Sequence, residues 1–155
     1  MEKFKDFLAE VFSFKSGFYA TIGVIGGAIA TALGGWDVLL ETLIWFMVLD
    51  YITGLVVAGI FHNSGKSETG ALESRASLKG LFRKGGILVV VIVAVHLDEI
   101  IGSQFVRSAV LIAFIVSEGI SIMENVGLMG VTYPDAIRKA FDILSKKAEE
   151  GTESA

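Results

Sequence analysis

Four long apolar stretches, set apart by clusters of basic residues, constrain this chain more than any other feature. They lie at about residues 17–35, 38–61, 85–101 and 105–123. Some 20 apolar residues wound as a helix cover roughly 30 Å, the thickness of a hydrocarbon core, and a helix satisfies its own backbone groups there. Twelve of the 13 basic residues fall into three groups. These are Lys3, Lys5 and Lys15; Lys66, Arg75, Lys79, Arg83 and Lys84; and Arg138, Lys139, Lys146 and Lys147. Only Arg107 stands apart. Basic residues favour the cytoplasmic side, so four crossings place all three groups and both termini inside, in a multi-pass membrane protein.

Composition agrees with a membrane as solvent. The chain is 53% hydrophobic with a mean hydropathy of +0.67, more apolar surface than a soluble domain of 155 residues covers. A net charge of -4 argues against a nucleic-acid partner, which requires a basic face to neutralise phosphates. The absence of cysteine excludes disulfides, thiolate nucleophiles and sulfur-ligated metals. Two histidines, His62 and His96, are too few for a metal cage, and no cofactor is expected. G-x-S-x-G, H-E-x-x-H and paired catalytic aspartates are absent, and Gly80 to Gly86 lacks P-loop spacing. The chain does not read as an enzyme.

The expected fold is therefore all-α and integral to the membrane, with about four transmembrane helices and an amphipathic interfacial helix at each end. In residues 1–16, Phe4, Phe7, Leu8, Val11 and Phe12 recur at spacings of three and four, as in a short helix on the inner surface. The following stretch, 17–35, is uncharged and reads as a retained helix rather than a cleaved signal. Its Gly23 and Gly27 permit close helix packing, with a re-entrant hairpin as the alternative. A polar loop is expected over 62–84, returning along the membrane at Leu81 and Phe82. The transmembrane domain then spans 17–126. A C-terminal amphipathic helix is expected over 132–148, announced by Thr132 and Pro134, with its basic residues toward anionic lipid. Residues 149–155 should be disordered.

Charges inside the apolar stretches need partners, protons or water. Asp50 is foremost. Counting from the expected inner ends of two helices, Asp50 and His96 fall at similar depth, about 18 Å in, so an Asp50–His96 contact is geometrically allowed. A protonated Asp50 bonded to a neighbouring helix is the alternative. In the fourth stretch Glu118, Ser121 and Asn125 share one helix face, serving either as glue between helices or as the lining of an aqueous opening. Gly54 and Ala58 offer a second close-packing face. Arg107 is expected in an outer link, neutralised by Asp98 and Glu99.

Three segments together resemble one family, the phage lysis and toxin-secretion holins. They are LDYITGLVVAG at Leu49 to Gly59, SLKGLFRKGGIL at Ser77 to Leu88, and SEGISIMENVGLMGVTYPDAIRKAFDIL at Ser117 to Leu144. Asp50, Tyr51, Thr53, Gly54, Glu118, Ser121, Glu124, Asn125, Gly130 and Pro134 match its motifs. The resemblance implies a protein of the bacterial cytoplasmic membrane that homo-oligomerises in the lipid bilayer and permeabilises it, with an endolysin or a secreted toxin as functional partner. It supplies no catalytic residues. A small ion channel or transporter subunit with intramembrane acidic residues is the alternative, and a scaffold acting through its terminal helix is a third class.

Overall fold

The computed structural model describes residues 2–61 and 74–153, with side chains described for 17–61 and 77–147. Five helices follow one another: α1, Glu2–Ala32; α2, Val38–Val56, continued by a π-helical turn at Val57–Phe61; α3, Ser74–Ile101; α4, Phe105–Leu128; and α5, Asp135–Glu153. No strand occurs among the described residues. Two helical spans are long and apolar enough to cross a membrane, Val38–Phe61 and Phe105–Leu128, while Gly17–Ala32 is apolar but shorter. The expected count of four is thus met by two on length and composition.

The third stretch falls short for a simple reason. Its uncharged run, residues 85–97, is only about 20 Å long as a helix. Lys84 and Asp98 bound it, and both are buried.

Several element boundaries differ from the sequence expectation. The first sixteen residues and the first apolar stretch form one uninterrupted helix, α1, rather than a surface helix followed by a separate span or a hairpin. No proline interrupts this backbone, so the hydrogen-bond ladder continues through it. Whether the apolar face of residues 1–16 is used lies outside the described side chains. The expected loop over 62–84 ends early, because α3 begins at Ser74. Its opening, SRASLKGLFRK, is rich in the helix formers Arg, Ala, Leu and Lys, whereas residues 62–73 lie outside the described part. Helix α5 starts at Asp135 and continues to Glu153, so the expected disordered tail is helical at 149–153. Glu149 and Glu150 are favourable helix formers and continue the preceding turns.

Helix α4 is the centre of the molecule, packing against α2, α3 and α5. Leu40, Leu43, Val91 and Leu111 are fully buried between α2, α3 and α4, with Leu33, Met47, Ile87 and Ile115 around them. The outward faces remain apolar: Trp45, Val48, Leu49 and Ile52 on α2, and Val89, Val90 and Val93 on α3, are exposed. A bundle that leaves so much aliphatic surface uncovered is solvated by lipid. Among the described residues α1 packs along no other helix, and from Gly17 to Thr31 its side chains are exposed apart from Ala30.

Candidate functional site

Elementary electrostatics requires that charges withdrawn from water be paired and hydrogen-bonded. The helices meet this requirement with one cluster. Lys84 on α3 donates from Nζ to Asp50 Oδ2 on α2 at 2.9 Å and also to Glu118 Oε2 on α4. The Asn125 amide donates to Asp50 Oδ1 at 3.1 Å and to Thr53 Oγ1 at 3.0 Å. Asp50, Lys84, Glu118 and Asn125 are all buried. Among the described residues no buried side-chain nitrogen or oxygen lacks a partner. Three helices that could otherwise slide in an apolar medium are thereby fixed in register.

Lys84 is the residue that sequence reasoning missed, and the reason is geometric. Placing the start of the third helix at residue 85 put Lys84 at the membrane boundary and His96 level with Asp50. Because α3 starts at Ser74, Lys84 instead lies about 15 Å along the helix. It occupies the depth reserved for His96. His96 is therefore not the partner of Asp50. It is exposed, about 18 Å further along α3, and its Nδ1 lies 3.0 Å from Glu99 Oε2 on the same helix. The thirteen-residue uncharged run was the available signal, since a helix crossing there must draw Lys84 inward.

The Glu118, Ser121 and Asn125 stripe is turned into the bundle rather than outward: Glu118 and Asn125 are buried and Ser121 is half-buried. Of the close-packing positions, Gly54 lies against Asn125, whose amide nitrogen would be 3.7 Å from a Cβ added there, and Ala58 is buried. Gly23 and Gly27 have open space above them and, among the described residues, bring no helix together.

A second polar cluster fastens one end of the bundle. Arg107 Nε donates to the Leu33 carbonyl at 2.7 Å and Nη2 to the Gly35 carbonyl at 3.0 Å, while Nη1 pairs with Asp37 Oδ2. Asp37 also caps α2, its Oδ1 accepting from the Leu40 N–H at 2.9 Å. Burial works against its ionisation, yet the Arg107 hydrogen bond, the Leu40 N–H and the guanidinium charge together hold its carboxyl below the usual range. Asp98 serves α4 instead, accepting from the N–H groups of Val106 and Arg107 and from the Ser103 hydroxyl. The expectation that Asp98 and Glu99 neutralise the Arg107 side chain is therefore corrected to Asp37. Glu99 is turned to His96.

At the other end α5 folds back along α4. The Phe141 ring covers Gly119, where an added Cβ would overlap it. It also meets Phe46 edge-to-face, with centroids 6.3 Å apart and planes at 78°. Glycine at 119 is thus required by a close approach. Among the described residues no group of acidic and histidine side chains is arranged to hold a metal.

These observations define an all-helical membrane protein that buries a charge cluster between its apolar helices. The chain belongs to the bacteriophage holin family, whose model matches residues 27–146. An uncharacterized 14.9 kDa protein in the nagH 3' region of Clostridium perfringens is 37% identical over 125 residues, 79% of this chain and 89% of the relative. An uncharacterized protein of Listeria monocytogenes is 35% identical over 134 residues, 84% of this chain and 90% of its own. A probable holin of Bacillus phage phi105 is 30% identical over 115 residues, 74% of this chain and 79% of its own. No solved structure matches.

Proposed function

We propose that this chain oligomerises in the bacterial cytoplasmic membrane and permeabilises it, giving a co-expressed endolysin access to the cell wall. Membership of the holin family carries the reading, and a probable phage holin among the relatives supports it. The same opening would serve a secreted toxin.

In this reading the chain crosses four times, with the N-terminus and the inner end of α4 at Leu128 on the cytoplasmic side. Helices α2 and α4 cross on their own apolar length. Helix α3 crosses because Lys84 is neutralised against Asp50 and Glu118, removing the cost of about 3 kcal/mol that an unpaired charge imposes at mid-membrane. The exposed apolar sides of α1 to α3 provide contact area between copies, with the open glycines Gly23 and Gly27 allowing close approach.

Inducing the chain in bacteria with and without an endolysin tests this directly. The expected result is an abrupt stop in respiration in both cultures, with lysis only where the endolysin is present. Continued growth with exchange of one defined solute would indicate a channel or transporter subunit instead. A reporter fused before Met1 that proved active outside the cytoplasm would overturn the four-crossing arrangement.

A further inference from the structure

Helix α5 carries Asp135, Arg138, Lys139, Asp142, Lys146 and Lys147, all exposed along with Ile137 and Ile143, while Phe141 and Leu144 are half-buried. The seat of Phe141 is built rather than casual, because Gly119 leaves room for the ring and Phe46 closes its edge. Gly119 adjoins Glu118, so α5 reaches the level of the buried ion cluster. That level is about 14 Å from the end of α4 at Leu128. With α4 across the membrane, the charged flank of a docked α5 lies at the depth of the acyl chains. Four of these side chains, Lys139, Asp142, Lys146 and Lys147, then lie more than about 10 Å from the inner end and require water. The stripe of Glu118, Ser121 and Asn125 does not supply a wetted wall, since two of its members are buried within the chain.

We infer that α5 stays docked on α4 in the inserted assembly and that its charged flank is the wetted wall of the opening. This rests on the permeabilising function proposed above. The polar surface facing the lumen then belongs to α5, and α4 acts as its support.

The chain lacks cysteine, so a Gln104→Cys, Ile143→Cys variant accepts two nitroxide labels at exposed sites. The full-length labelled chain is followed in detergent and in dye-loaded vesicles of phosphatidylethanolamine and phosphatidylglycerol. The inter-label distance should be the same in both, and the label at position 143 should relax mainly through a water-soluble nickel chelate rather than through oxygen. A bulky charged thiol reagent on Ile143→Cys alone should slow dye release several-fold. A longer distance in dye-releasing vesicles, as α5 moves to the inner leaflet surface, overturns the inference and leaves the permeabilising function intact. So does an unchanged distance with oxygen-dominated relaxation, which places the flank against lipid. Absence of dye release from the unlabelled chain overturns the permeabilising function and the wetted wall with it.

Discussion

Lys84 and Asp50, 34 residues apart in sequence, meet at 2.9 Å between α3 and α2, and the same ammonium holds Glu118 of α4. One cation thus joins three helices. Removing it leaves two buried carboxylates facing each other, so Lys84→Met should destabilise the chain by about 3–5 kcal/mol. The triple replacement Lys84→Met, Asp50→Leu, Glu118→Leu should recover most of that loss. Unfolding of the purified protein in mild detergent measures both, and equal stability of Lys84→Met and the parent would exclude a structural role for the cluster.

A graded series separates charge from hydrogen bonding at Asp50. Asn retains an acceptor for Lys84 or Asn125 but loses the charge, so Asp50→Asn should cost about 1.5–3 kcal/mol. Asp50→Leu removes both and strands Lys84 against Glu118 alone, with a larger cost. The same unfolding measurement should rank them in that order, and a reversed order would show that shape rather than charge is recognised.

Gly34 has φ +83°, and an added Cβ would lie 2.6 Å from Arg107 Nε. Gly34→Ala should therefore cost about 1–2 kcal/mol for the left-handed backbone alone, with a further loss as Arg107 shifts. Gly35→Ala, at φ +97° with open space around it, should bear the backbone cost without the Arg107 loss. Comparing the two variants isolates the contribution of the guanidinium.

Acid should loosen the same corner. Asp37 has its carboxyl depressed in the folded protein, so its stabilising contribution is fully present above the unfolded value of about 4. It is lost as pH falls through the lower folded value. The melting temperature of Asp37→Asn should lie below that of the parent at neutral pH. The gap should close below about pH 4; a gap that is independent of pH would remove Asp37 ionisation from the account.

The two unbroken apolar spans were legible because length and lack of charge suffice to define them, and α2 and α4 match the expected segments closely. What escaped sequence reasoning were contacts made across long separations. Lys84 looked like the basic edge of a loop, because charge was weighed above the helix propensity of residues 74–84. Misplacing that helix start by about three turns then put His96 where Lys84 belongs. The Phe141 seat on Gly119 had no local signature, since a glycine in an apolar run has many uses. Asp37 and Arg107, 70 residues apart, each looked like ordinary link residues. Asp50, Glu118 and Asn125 were identifiable as buried polar groups by cost alone, but cost does not name a partner.

The corner that Arg107 fastens sets how far the first helix reaches. Helix α1 has 31 residues, about 46 Å of rod, joined to the bundle at its last turn through Gly34 and Gly35. A difference of about 10° in the angle there displaces the far end by about 8 Å. The bundle thus holds a long rod at one end only, and the three Arg107 contacts to Leu33, Gly35 and Asp37 set the angle at which α1 leaves it.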